Sequence, residues 1–338
     1  MSQSAPGRLL VTGAPGWLAD AFLKSLSAHP PEGLTHVRCL VHNDTPVGRG
    51  EAKTRWGLDA EVVHGDLRDR ASLAEAVRGI DTVVHAAGLI HVKRIEDYYA
   101  TNSEGTRELA RASSDAGVGR FVYVSSNAAG GRSETPGRLC EESDPDRPLS
   151  HYGRSKWLGE RWLFATPGPM ERSALRLCML YGPPVPARHV EVYRRIVSGR
   201  MPLVGGGGYA RSLSHVDNVL QGLRLALRSS ATNGRVFHIA DAEVYTTRRV
   251  VEAMAGALGV RPRYLPLPAV AARAAYGVDW LLATFGRYQQ EIHLVGESDW
   301  NVGVSIEKAR RVLGYDPKVT IDEGMRGAVE WCRAQGLL

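Results

Sequence analysis

The sequence predicts an α/β chain built on a doubly wound parallel sheet, and three observations carry that expectation. A short apolar run, Arg8-Leu9-Leu10-Val11-Thr12, passes straight into the glycine turn Gly13-Ala14-Pro15-Gly16 and then into a helical pattern reaching Leu26. Four further apolar runs of strand length follow, separated by helical patterns. Each ends in small or polar residues, as a parallel sheet with ligands at its carboxyl edge requires.

The first turn reads as a pyrophosphate cradle. Gly13 permits the tight turn, Gly16 lets backbone approach phosphate, and a helix N-terminus opening at Trp17-Leu18 favours an anion, with Pro15 shaping the turn. Ala19, small enough for close helix-strand packing, stands where a third glycine is common. A second strand is expected over His36 to Val41, followed by His42-Asn43. The third, Glu61 to Leu67, ends in an Asp66-Leu67 pair whose acid could bond an adenine amino group. Thr82 to Gly88 forms the fourth, with Ala86, Ala87 and Gly88 small enough for a cofactor to lie on the backbone, and Phe121 to Ser126 the fifth.

Beyond these runs a helix is expected over His151 to Phe164, then a sixth strand over Ser173 to Leu177 and a returning strand over Val236 to Ala240. Val190 to Ser198, Pro266 to Thr284 and Ile306 to Leu313 read as helices. The implied organisation is a dinucleotide-binding core over 1–177, its sheet completed by about 212–245, with a substrate lobe from 178–211 and 246–338. Gly205 to Gly208 lacks a following Lys-Ser/Thr and reads as a mobile loop rather than a phosphate loop.

Tyr152-Gly153-Arg154-Ser155-Lys156 carries the chemistry. On a helix, positions i and i+4 share a face, so an ammonium at Lys156 is expected beside the Tyr152 oxygen. A free phenol has a pKa of about 10. A neighbouring cation lowers it toward the range that general acid/base catalysis needs.

Composition fits a soluble enzyme. The chain has 338 residues, 43% hydrophobic, enough for a full core. Its net charge of +6 is spread along the chain and argues against nucleic acid as a partner. Cys39, Cys140, Cys178 and Cys332 show no metal spacing; Cys39 and Cys178 fall in expected strands, and free thiols point to a reducing cytoplasm. No apolar signal core opens the sequence, and no stretch reaches membrane-spanning length.

Taken together, Thr12 to Ala19, Gly65-Asp66-Leu67, His85 to Gly88, Thr101-Asn102-Ser103-Glu104-Gly105-Thr106, Val124-Ser125-Ser126, Tyr152 to Lys156 and Leu180-Tyr181-Gly182-Pro183 resemble the extended short-chain dehydrogenase/reductase superfamily over nearly the whole chain. The resemblance implies a Rossmann fold with Tyr152 as catalytic acid/base, Lys156 lowering its pKa and bonding the nicotinamide ribose, and Ser126 holding the substrate oxygen. It further implies that Asn102 supports the helix beside the cofactor, that Ser125 lies along the cofactor face, that Tyr181, Gly182 and Pro183 flank the nicotinamide, and that the protein is a homodimer. For the cofactor, NADP(H) is expected ahead of NAD(H): no acid stands at Val41 to repel a 2′-phosphate, and His42 with Asn43 could donate to it.

Substrate features divide the expectations. Dehydratases of the superfamily place Asp-Glu after the serine, where this chain has Asn127-Ala128. Arg211 matches an arginine that grips a substrate phosphate in sugar-nucleotide epimerases, or is an ordinary surface arginine; Met179 replaces an expected asparagine, and no second arginine stands in Val295 to Trp300. The C-terminal third resembles the 3-beta-hydroxysteroid dehydrogenase-like branch, where the apolar helix after Leu265 suits an apolar ligand, ordinary packing or a membrane surface. A ketone/alcohol oxidoreductase is therefore expected first, a nucleotide-sugar 4-epimerase or 4-ketoreductase second, and an inactive dinucleotide sensor third.

Overall fold

A computed structural model describes residues 6–338 except 134, 136, 285–288, 290, 291, 293 and 294. In chain order the first half runs β1 (Gly7–Ala14), α1 (Trp17–Ala28), β2 (Leu34–His42), α2 (Arg49–Trp56), β3 (Glu61–Gly65), α3 (Arg70–Val77) and β4 (Thr82–His85). It continues through α4 (Ile95–Tyr98), a π-helical turn (Tyr99–Gly105), α5 (Thr106–Asp115), β5 (Arg120–Ser126), α6 (His151–Ala165) and β6 (Glu171–Leu177). The second half holds β7 (Met179–Tyr181), α7 (Ala187–Val197), β8 (Met201–Val204), β9 (Ala210–Arg211), β10 (Leu213–His215), α8 (Val216–Arg228) and β11 (Arg235–Ile239). It closes with β12 (Tyr245–Thr246), α9 (Thr247–Leu258), β13 (Tyr264–Leu267), α10 (Ala269–Thr284), α11 (Glu307–Leu313) and α12 (Ile321–Ala334).

Seven strands form one parallel sheet in the order β3-β2-β1-β4-β5-β6-β11. Strand side chains alternate between faces, and this sends neighbours in β1 into different cores. Leu9 and Val11 pack with Phe22, Leu23, Trp56, Leu223 and Phe237. Leu10 joins Leu73, Val83, Leu109, Phe121, Tyr123 and Leu163 on the other side. Burial of both faces explains why the strands read as continuous apolar runs. The order reverses between β1 and β4, which opens a crevice at their carboxyl ends.

Several expected elements change at their ends. β3 stops at Gly65 and β4 at His85, so Asp66, Leu67, Ala86, Ala87 and Gly88 lie in the loops after the strands rather than in them. Cys178 is the residue linking β6 to β7, not part of a strand; its thiol is still buried, as are those of Cys39 and Cys332. Pro266 and Leu267 belong to β13, which pairs in parallel with β8, and the helix begins only at Ala269. Proline is tolerated in a two-stranded sheet because each strand has one side without a partner strand, where a missing N–H breaks no bond. In the four-glycine stretch two positions are crowded and two are open: a Cβ at Gly205 would meet the Tyr209 hydroxyl at 2.6 Å and one at Gly207 would meet Leu203 at 2.5 Å, while one at Gly206 or Gly208 would have nothing within 4 Å.

Candidate active site

The cradle forms where β1 meets α1. Gly13 has φ +93°, a left-handed conformation that favours glycine, and an added Cβ would lie 2.6 Å from the Ala87 amide nitrogen. A Cβ at Gly16 would meet the Gly13 carbonyl oxygen at 2.6 Å, the same oxygen that accepts from the Gly16 amide at 2.7 Å. Helix α1 starts at Trp17 with no side-chain cap at Gly16, so its first-turn amides are left for an anion. The indole Nε1 of Trp17 is buried without a protein partner. Ala19 is buried against the sheet. These residues fit a dinucleotide pyrophosphate.

A buried polar chain joins the cradle to the catalytic helix. Thr12 Oγ1 lies 2.7 Å from His85 Nδ1 and accepts from the Ala87 amide at 3.2 Å. His85 Nε2 meets Thr106 Oγ1 at 3.0 Å, and that hydroxyl donates to the Asn102 carbonyl at 2.8 Å. Burial, then Lys156, pushes the His85 pKa down to about 3, so the ring is neutral at working pH. Asn102 faces the loop after β4: its Oδ1 accepts from the Leu89 amide at 2.8 Å, while Nδ2 donates to the Leu89 carbonyl at 2.9 Å and to Ser155 Oγ at 3.0 Å. This side chain ties the Gly88 loop to α6.

Tyr152 stands in the first turn of α6, near enough to Ser126 at the end of β5 for the serine hydroxyl to act on the phenol. Ser150 caps the helix by accepting from the Gly153 amide at 3.2 Å. Burial raises the Tyr152 pKa; the Ser126 hydroxyl and the charge of Arg188 oppose it. Lys156 lies one helical turn on from Tyr152. Its Nζ donates to the Val124 carbonyl at 2.7 Å and lies 4.3 Å from the Tyr123 ring centroid, so the buried ammonium has a backbone acceptor and an aromatic face. Desolvation lowers its pKa to about 7, against the pull of Glu160.

Glu160, one further turn along α6, was not singled out from the sequence, although Tyr152, Lys156 and Glu160 repeat every four residues. It is buried and accepts from Arg176 Nε at 2.9 Å and a terminal guanidinium nitrogen at 2.6 Å. Ser125 donates to its Oε1 at 2.5 Å. The Ser125 hydroxyl is thus engaged by a buried carboxylate, a charge-assisted bond.

Other expected contacts are also redirected. The Tyr181 ring is buried, its hydroxyl donates to Asp241 Oδ2 at 2.8 Å and it packs edge-on to His215, with Gly182 and Pro183 in the loop that follows β7. Leu67 packs into the core against Gly105. Asp66 forms a two-oxygen pair with Arg68, which holds its pKa at about 2, and His42 Nε2 lies 3.5 Å from the same carboxylate. Arg211 is not a surface arginine: it donates to Thr247 Oγ1 at 3.2 Å and to the carbonyls of Glu297 and Ser298 at 3.0 and 2.8 Å. The segment that lacks a partner arginine instead spends this one. Met179 is half exposed on β7. Asn127, which follows Ser126 in the chain, lines a small cavity of about 80 Å³ with Ala128, Leu149, Ser150 and Trp300.

Arg188 brings a further cation to the site, its charge acting on Tyr152. It stands in the first turn of α7, with its guanidinium carbon 5.9 Å from the Trp17 ring centroid, while His189 packs edge-on to the same indole at 5.5 Å. The first turn of α7 thus meets the mouth of the cradle and bears on Tyr152. Arg194 and Arg195 point elsewhere, to the Leu337 carbonyl and to Glu191.

Residues 9–240 match the family described as the NAD dependent epimerase/dehydratase family. The chain belongs to that family. It is an NAD-dependent enzyme of the extended short-chain dehydrogenase/reductase type, with oxidoreductase or epimerase chemistry. It is 34% identical to the uncharacterized protein y4nL of Sinorhizobium fredii (strain NBRC 101917 / NGR234), over 97% of this chain and 96% of that one. It is 29% identical to the 4-hydroxy-2-methyl-3-oxo-4-farnesyl-3,4-dihydroquinoline-1-oxide ketoreductase of Stigmatella aurantiaca, over 94% of both. Among solved structures, DesIV, a dTDP-glucose 4,6-dehydratase from Streptomyces venezuelae with NAD and TYD bound, superposes with a TM-score of 0.77 at 27% identity, covering 97% of each chain.

Proposed function

We propose that this family member interconverts a ketone and a secondary alcohol on a small molecule that carries no obligatory nucleotide diphosphate. The observation that carries the reading is the placement of Ser126, at the carboxyl end of β5, within reach of Tyr152, with the next residue, Asn127, lining a small cavity. A bound nicotinamide dinucleotide supplies or accepts the hydride. In the reductive direction Tyr152 Oη gives its proton to the carbonyl oxygen, Ser126 Oγ donates a hydrogen bond to that oxygen, and Lys156 holds positive charge near the reacting centre. The lobe of residues 178–211 and 246–338 shapes the substrate pocket, and the protein acts as a homodimer through α5 and α6. The resemblance to a ketoreductase acting on a farnesylated ring supports an apolar carbonyl substrate.

Nucleotide-sugar 4-epimerisation is the second reading, and Arg188 favours it. A buried diphosphate needs several cationic or amide donors, and Arg211 has already spent its own on carbonyls. Calorimetric titration of the cofactor-loaded enzyme with UDP and dTDP separates the two. No micromolar binding is expected; binding of either that disappears in Arg188→Ala would install the epimerase reading instead.

The cofactor preference proposed is NADP(H). No acid faces the ribose at Val41, and His42 and Arg68 bring two basic groups to the end of β2 and β3, although Asp66 shares both. The kcat/KM with NADPH should exceed that with NADH; a tenfold preference for NADH would reverse the assignment.

A further inference from the structure

Helix α10 turns apolar side chains outward. Val270 is 65% exposed and Trp280 63%, with Val278 and Leu281 about half exposed. At 3.6 residues per turn, Val270, Ala274, Gly277, Val278 and Leu281 share one face. Ala272 is buried on the opposite side, where Ala275, Asp279 and Leu282 are half-buried. Leu265 on β13, half exposed, extends the apolar patch past the helix N-terminus.

Cations border this face. Arg261, Arg263 and Arg273 are all exposed, and Arg248 lies with its guanidinium carbon 5.1 Å from the Tyr264 ring centroid. The acids nearby are Glu252, which is close to Tyr264; Asp299, 3.9 Å from Arg273; and Asp279, on the inner side of α10 itself. The inner side of α10 meets the catalytic cleft. Tyr276 packs edge-on to Trp300 at 5.5 Å, Trp300 lines the cavity beside Asn127 and Ser150, and the Asp279 charge reaches His151, the neighbour of Tyr152. One helix therefore walls the cleft on one side and shows valine, leucine and tryptophan to the exterior on the other.

We propose that the exposed face of α10 seats in the headgroup layer of an anionic lipid bilayer, so that an apolar substrate reaches the cleft from the lipid phase. The substrate part rests on the hydride-transfer reading; the docking part does not. A tryptophan and arginines around an aliphatic face is the arrangement by which a helix lies in a membrane interface, the aromatic ring and cations at headgroup level and the aliphatic residues below. Among the described residues no helix is long and apolar enough to cross a membrane, so α10 would lie on the bilayer. A second copy is a poorer occupant, because a two-fold contact centred on this patch brings the arginine borders against each other.

The test floats the full-length protein through a density gradient with vesicles of phosphatidylcholine, alone or with added phosphatidylglycerol. Flotation is expected with the anionic vesicles and is expected to fall as salt rises. Arg261→Gln and Arg263→Gln should each lower the partition about fivefold, the weight of one basic residue at an anionic surface. Val270→Glu with Val278→Glu should stay at the bottom while keeping its melting temperature and dinucleotide affinity. Brominated lipid should quench tryptophan emission in the wild type and much less in Trp280→Phe. A wild-type protein that ignores anionic vesicles, or a double-glutamate variant that floats equally well, would overturn the proposal. So would light scattering, without lipid, in which the double-glutamate variant alone falls from dimer to monomer mass, which assigns the face to a second copy. Flotation reads binding without turnover, so an active Tyr152→Phe enzyme would sink the hydride-transfer reading and leave the docking result intact.

Discussion

Tyr152→Phe should lower kcat by at least about two orders of magnitude while leaving dinucleotide affinity near the wild-type value, in line with the contribution of one positioned acid/base. The ring keeps its packing against Tyr98, whose centroid lies 5.8 Å away, so the variant removes an oxygen and little else. The substrate oxygen loses its proton source. Ser126→Ala should be milder, because it removes a hydrogen bond to the same oxygen and leaves the proton in place. Steady-state rates with a reducible ketone under saturating cofactor decide the matter, and a Tyr152→Phe enzyme of near-normal kcat would refute the assigned role.

Gly13→Val should abolish dinucleotide binding. A β-branched residue is strained at φ +93°, and its Cβ would overlap the Ala87 amide nitrogen at 2.6 Å, so the turn must move away from the loop after β4. Gly16→Ala is the companion variant should the valine protein fail to fold. Its Cβ meets the Gly13 carbonyl at 2.6 Å, which disturbs the same turn with a smaller group. Fluorescence titration of each folded variant is the measurement. Unchanged affinity in a folded Gly13→Val protein would place the cradle elsewhere.

Local signals made the parallel core legible because each is contained in a few consecutive residues. The apolar run before Gly13, the small residues after His85 and the serines ending β5 can be read one strand at a time, and burial on both faces keeps those strands uniformly apolar. Smaller elements left weaker traces. The pairs β7–β10, β8–β13 and β9–β12 are two to four residues long, too short for a period to register, and β13 even carries a proline.

The candidate site divides along the same line. Ser126, Tyr152 and Lys156 were readable as residue types in order, and helix spacing alone placed Tyr152 and Lys156 on one face of α6. Where their charges go was not readable, since hydrogen-bond partners come from segments distant in sequence. Lys156 turns to the Val124 carbonyl, Ser125 to Glu160, Tyr181 to Asp241 and Arg211 to the carbonyls of Glu297 and Ser298, each because a buried polar group must find a partner and the nearest one in space decides. Arg188 reaches the Trp17 ring because α7 lies across the mouth of the cradle. The sequence by itself determined the strand order of chemistry: cradle, then serine, then tyrosine and lysine, each at a strand end or helix start that local periodicity and turn residues specify. Only the tertiary structure decided which cations stand free for a ligand and which are spent on backbone, because that depends on desolvation and on contacts between residues tens to hundreds of positions apart.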